Sequence, residues 1–109
     1  MKNYSEEIKE LIEKYMSKGF EYGKPMDFLL PRIKASKEEV ENEIINCKDL
    51  RFIEKQKREG ETRYVLYFVY SRSKGRVYVI TFTDKIIIIT AYPLGKKTLK
   101  KYHKGRFKK

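Results

Sequence analysis

The chain has 109 residues, enough for one small domain, and apolar residues make up 40% of it. Lys and Arg outnumber Asp and Glu by 26 to 15, which gives a net charge of +11. There is no apolar run of about 18 residues and no signal-peptide pattern, so we expect no membrane span and a cytoplasmic protein.

Cofactor and metal sites have little support in the sequence. Cys47 is the only cysteine and His103 the only histidine, so neither an internal disulfide nor a zinc site is expected. The chain has no phosphate-binding glycine loop and no carboxylate cluster suited to magnesium. We therefore expect a protein that works without a cofactor or metal.

Two helices are predicted in the first half. Ser5 is followed by two acids, a pattern typical of a helix start, and it predicts a helix over 5–18. Ser36 and Glu39 match a capping box, which predicts a second helix over about 37–47. The first helix has apolar residues at 3.6-residue spacing, namely Ile8, Leu11, Ile12, Tyr15 and Met16.

The segment between these helices, 19–35, contains two prolines and two glycines and is predicted to be a connector. Its apolar residues Phe28, Leu29 and Leu30 are expected to pack on the core. The connector therefore adds core contacts but no regular element to the predicted fold.

After the second helix, runs of β-branched and aromatic residues predict strands at 50–56, 62–71, 76–83 and 86–92. The predicted fold class is α+β, with two N-terminal helices followed by a roughly four-stranded antiparallel meander sheet. Residues 1–95 form the predicted domain. Residues 96–109 form a basic C-terminal tail that could pack on the sheet through Leu99, Tyr102 and Phe107.

Turns at 72–75 and 84–85 would divide the strand residues between two faces. One face would hold Tyr64, Leu66, Phe68, Tyr70, Val77, Val79, Thr81, Thr83, Ile86, Ile88, Thr90 and Tyr92. The other would hold Val65, Tyr67, Val69, Tyr78, Ile80, Phe82, Ile87, Ile89 and Ala91, with Arg63 and Arg76 at its rim. Both faces are apolar, so the helices should cover one, and the tail, a partner protein or a second copy should cover much of the other.

The net charge is concentrated in the second half of the chain. Residues 1–59 carry 13 basic and 13 acidic side chains, whereas residues 60–109 carry 13 basic side chains and only Glu61 and Asp84 as acids. This asymmetry favours a polyanionic partner, most readily RNA. The alternative is a charge-rich composition of the kind found in thermophilic proteins.

Candidate catalytic residues for RNA cleavage are Thr90, Tyr92, Tyr102 and His103. His103 could act as a general acid or as a general base, but one histidine cannot do both. We identify no carboxylate on a strand that is well placed to act as the base. Thr90 and Tyr92 are equally typical of ordinary strands, and His103 could be incidental to a basic tail. Predicted phosphate-binding residues are Arg63, Arg76, Lys96, Lys97, Lys100, Lys101, Lys104 and Arg106.

Two parts of the chain resemble small toxin-type ribonucleases of the barnase–colicin–RelE-like group, including BrnT-like domains. The first part is Pro31-Arg32-Ile33 with Ser36–Val40, and the second is the segment VYVITFTDKIIIITAYPLGKKTLKKY at 77–102. The resemblance implies metal-independent RNA cleavage, with Thr90 and Tyr92 lining the site and Arg63 or Arg76 binding phosphate. In some members it also implies an inhibitory partner protein. Many members carry a histidine near the first helices, which this chain lacks.

Three functions therefore remain open. The first is a metal-independent ribonuclease of the toxin type. The second is a non-catalytic nucleic-acid-binding module that stacks bases on tyrosines and phenylalanines. The third is an interaction protein, dimeric or bound to a partner through the second sheet face.

Overall fold

A computed structural model describes residues 5–23, 25–71 and 74–95. Helix α1 spans Ser5–Tyr15 and continues as a 3-10 turn over Met16–Lys18, α2 spans Met26–Ile33, and α3 spans Lys37–Asn46. The predicted capping box is confirmed, since Ser36 and Glu39 exchange backbone-to-side-chain hydrogen bonds of 3.1 Å. No helix in the described ranges is long and apolar enough to cross a membrane.

Five strands form one sheet: β1 at Phe20–Tyr22, β2 at Leu50–Arg58, β3 at Glu61–Val69, β4 at Gly75–Phe82 and β5 at Ile86–Pro93. Their order is β1-β5-β4-β3-β2, and all pairs are antiparallel except β1 with β5. The α+β class is confirmed. The prediction of a four-stranded antiparallel sheet is wrong, because a fifth, parallel strand extends the meander at its β5 edge.

The predicted connector 19–35 contains this extra strand and a helix. Strand β1 has only three residues, too few for an alternating pattern, and it is held by pairing with β5. Pro25 caps α2, and its carbonyl accepts bonds from the Phe28 and Leu29 amides. Leu29 is buried as expected, but Phe28 remains 51% exposed.

The predicted division of the sheet into two faces is also corrected. Val69 pairs with Gly75, so the β3–β4 loop has five residues, whereas the prediction assumed four. Each β4 side chain therefore points to the face opposite to the predicted one. A bulge between Val79 and Ile80 then shifts the register along β5. The amide of Gly23 bonds to the Ile88 carbonyl beside this bulge, where a Cβ on Gly23 would lie 3.2 Å from the Ile89 Cα atom.

The helix face of the sheet forms the main core. Ile8 and Ile12 of α1, Leu29 and Ile33 of α2, and Val40 and Ile44 of α3 pack on it. Met16, expected on the same apolar stripe as Ile8 and Ile12, is 42% exposed because the α-helix ends at Tyr15. The sheet residues of this core are Ile53, Tyr64, Leu66, Phe68, Tyr78, Ile80, Ile86, Ile88 and Ala91.

Candidate nucleic-acid interface

The side of the sheet turned away from the helices, here called the second face, carries most of the described candidate residues. Its apolar centre is a separate cluster of Val65, Val69, Val77 and Leu94, with Tyr67 and Val79 packed against it. Cross-strand pairing adds further residues to this face, because directly paired residues point to the same side. These are Phe52, Glu54, Arg63, Thr90 and Tyr92.

An aromatic row crosses the second face. Phe52, Tyr67, Val77 and Tyr92 are successive cross-strand partners on β2, β3, β4 and β5. The rings of Phe52 and Tyr67 lie 5.4 Å apart at 62°, an edge-to-face contact. Tyr92 is 38% exposed, so the row offers accessible ring surface at its β5 end.

Glu54 is an acidic residue of this face that the sequence interpretation did not recognise. It accepts hydrogen bonds from the Tyr67 hydroxyl at 3.4 Å and from the Gln56 amide at 3.3 Å. Glu54 lies inside the predicted strand 50–56, two residues after Phe52, and alternation alone could have placed both on one face.

Glu54 also affects the phenols around it. Burial, Glu54 and Tyr92 together raise the pKa of Tyr67 to about 12. Burial and the charge of Glu54 raise the pKa of Tyr92 as well. Both tyrosines are therefore neutral near pH 7, and each has a hydroxyl that can donate a hydrogen bond.

Three predicted site residues, Arg63, Thr90 and Tyr92, lie on the second face. Thr90 is half-buried opposite Val79, one pair along the strands from Tyr92. Arg63 lies opposite Thr81, and its Nε atom is 2.5 Å from a carboxylate oxygen of Glu61. Both side chains of this ion pair are about a third or more exposed, so the guanidinium remains accessible to a phosphate.

Arg76 belongs to the helix side of the sheet instead. Its Nη1 atom lies 3.2 Å from Glu43 of α3, and both side chains are largely buried. The same carboxylate accepts hydrogen bonds from Tyr70 and, at 2.6 Å, from Tyr78. Burial lowers the pKa of Arg76. The hydrogen bond to Tyr78 and the charges of Tyr78, Tyr70 and Glu43 raise it by more, so the net pKa shift is upward. Arg76 is thus paired within the fold and is not directed toward Thr90 or Tyr92.

The remaining predicted site residues lie outside the described residues. They are Lys96, Lys97, Lys100, Lys101, Tyr102, His103, Lys104 and Arg106.

Charge within the described ranges is balanced, at 15 basic and 15 acidic side chains. The net +11 therefore comes from the other residues, and eight of those cations are in 96–109. No group of three His, Cys, Asp or Glu side chains in the described part of the chain is arranged to hold a metal ion. The excess of positive charge thus lies outside the described ranges, chiefly in 96–109.

Comparison of the chain with protein-family models, with curated proteins and with solved structures finds no match. The resemblance to toxin-type ribonucleases thus rests on sequence motifs alone. What the chain can do has to be inferred from its own residues.

Proposed function

We propose that this protein binds single-stranded RNA, using the basic segment 96–109 together with the rim of the second face. The observation that carries the proposal is the charge distribution. Balanced charge over 5–23, 25–71 and 74–95, followed by eight cations and no acid in 14 residues, is typical of an electrostatic site for a polyanion.

The aromatic row favours a single strand over a duplex. Unpaired bases can stack on tyrosine and phenylalanine rings, whereas the bases of a duplex are already stacked on one another. Tyr92 is exposed on the last strand, and the basic segment begins three residues after Pro93. A strand whose phosphates contact the segment could therefore place a base on Tyr92 without crossing the protein.

The test is fluorescence anisotropy of a labelled single-stranded RNA over a range of salt concentrations. Replacing Lys100 and Lys101 by Gln should weaken binding and reduce the salt slope by about 0.7 for each phosphate that is no longer neutralised. The matched control replaces Lys9 and Lys18 of the α1 region, both exposed, and removes the same charge. Equal reductions in affinity in the two double variants would show that only total charge matters and would overturn the proposal.

A second candidate is metal-independent RNA cleavage on the same face. The observation that favours it is Glu54, a carboxylate that shares the face with Arg63, Thr90 and Tyr92. In this reaction Glu54 would take the proton of a ribose 2′-hydroxyl, whose oxygen attacks the adjacent phosphorus. The products are a 2′,3′-cyclic phosphate and a free 5′-hydroxyl.

The other roles in that reaction fall to cations and to one proton donor. Arg63 would stabilise the charge that develops on the phosphate oxygens. His103 would protonate the leaving 5′-oxygen, so that it has one role while Glu54 has the other. With the roles divided in this way, a single histidine is enough for the reaction.

A further inference from the structure

The centre of the second face is buried although the helices lie on the other side. Val65 is 4%, Val69 8%, Val77 0% and Leu94 8% exposed. All core contacts of the three described helices belong to the cluster on the helix face. The second face therefore has an apolar centre with no described helix packed on it, and such a surface can be covered by a further segment of chain.

Leu94 directly follows β5 and contributes to the second face. Its amide bonds to the Gly75 carbonyl at 2.9 Å, and its side chain joins Val77 in the second-face cluster. The contact with Gly75 is so close that a Cβ there would lie 2.6 Å from Leu94 Cδ1. Leu94 therefore extends the β4–β5 ladder by one residue, with its side chain on the second face, immediately before the basic segment begins.

We propose that residues 96–109 pack across the second face, with Leu99, Tyr102 and Phe107 placed against its apolar centre. An extended segment of 14 residues reaches about 45 Å, whereas β5 and β2 are separated by three strand spacings, or about 14 Å. The segment is therefore long enough to cross the sheet. Its basic side chains keep their charges in water while the three apolar side chains face the sheet.

A second copy of the chain is a poorer covering. The burial of Val65, Val69 and Val77 is found within a single chain, so no partner is needed to produce it. Dimerisation through this face would also bring two segments of eight cations each close together, which like-charge repulsion opposes.

This inference deepens the proposed function without depending on it. If the segment is docked, its lysines and Arg106 form a fixed cationic layer beside Tyr92 and Phe52, and bound RNA would meet a preformed surface. Docking is tested without RNA, so a failure of RNA binding and a failure of docking give different results.

The experiment uses tryptophan fluorescence in the full chain, which has no natural tryptophan. Tyr102→Trp and Phe107→Trp variants should show blue-shifted emission and reduced acrylamide quenching relative to the same residue in a free 94–109 peptide. Adding Thr90→Lys on the second face should move the emission toward that of the peptide. Thr83→Lys, at an exposed position after β4, is the matched control and should leave it unchanged.

Emission equal to that of the free peptide in both tryptophan variants would overturn the inference, whether or not Thr90→Lys folds. A blue shift that disappears on dilution, together with dissociation of a dimer in sedimentation, would also overturn it, because a second copy would then cover the face. If the wild-type chain does not bind RNA but its segment is docked, the proposed function is rejected and the docking inference stands.

Discussion

The hydroxyl of Tyr67 on β3 donates a hydrogen bond to Glu54 on β2, with the two oxygens 3.4 Å apart. This bond joins a phenol of the aromatic row to a carboxylate of the second face. Ionising Tyr67 would place a second negative charge beside Glu54 and remove the donated proton. The pair therefore makes the sheet sensitive to high pH.

Stability should fall as pH rises from 10 toward 12, the range between the ordinary pKa of Tyr67 and its raised value. In that range the folded chain holds a proton that the unfolded chain has released, so raising the pH favours unfolding. Tyr67→Phe should reduce this decline, because the phenylalanine has no proton to lose. Urea unfolding followed by circular dichroism at several alkaline pH values measures the difference.

The reference for both proteins is the free energy of unfolding near neutral pH, where Tyr67 is protonated in the folded and in the unfolded chain. Identical pH slopes for the two proteins above pH 10 would contradict the assignment. The decline would then come from other groups, such as Tyr78, whose pKa is raised by burial and by Glu43.

Glu43 should be important for stability because three donors depend on it. Glu43→Ala leaves Arg76, Tyr70 and Tyr78 without the carboxylate they share. We expect a loss of about 2–3 kcal/mol in the free energy of unfolding, since largely buried polar groups lose a charged partner. Glu38→Ala, at an exposed position of the same helix, should cost less than about 0.5 kcal/mol. Similar costs in the two variants would show that the cluster does not stabilise the fold.

Gly75→Ala should be destabilising and Gly95→Ala nearly neutral. A Cβ at position 75 would lie 2.6 Å from both the Leu94 Cδ1 atom and the Phe68 carbonyl oxygen, whereas at position 95 nothing lies within 4 Å. The Phe68 carbonyl is part of a strand and cannot move freely, so we expect a cost of about 1–3 kcal/mol at Gly75. Thermal unfolding of both variants measures it, and equal stability would contradict the close packing of Leu94.

The elements that the sequence predicted correctly have strong local signals. The capping box at Ser36 and the alternation of β-branched residues around Val79 depend on neighbours in the chain. Strand β1 could not be found in this way, because three residues from Phe20 have no pattern of their own. Its existence depends on pairing with Ile86–Ile88, which are more than 60 residues away.

The arrangement of the candidate site was harder to predict because it depends on register. One residue more in the β3–β4 loop reverses the direction of every β4 side chain, and the bulge after Val79 changes the register again along β5. As a result Arg76 faces Glu43, and Val77 lies in line with Tyr92. Composition alone could not show which arginine shares a face with Thr90.

RNA cleavage is tested in EDTA with single-stranded and structured RNAs. If Glu54 is the base, Glu54→Gln should retain RNA binding but lower the cleavage rate by about a hundredfold or more, the usual contribution of general acid–base catalysis. His103→Ala should lower it similarly, because the leaving oxygen would lose its proton donor. Glu59→Gln, an exposed change in the β2–β3 turn, is the control and should cleave at the wild-type rate. If the wild-type chain binds these RNAs and leaves them intact, the protein is a binding module and Glu54 only anchors Tyr67 and Gln56.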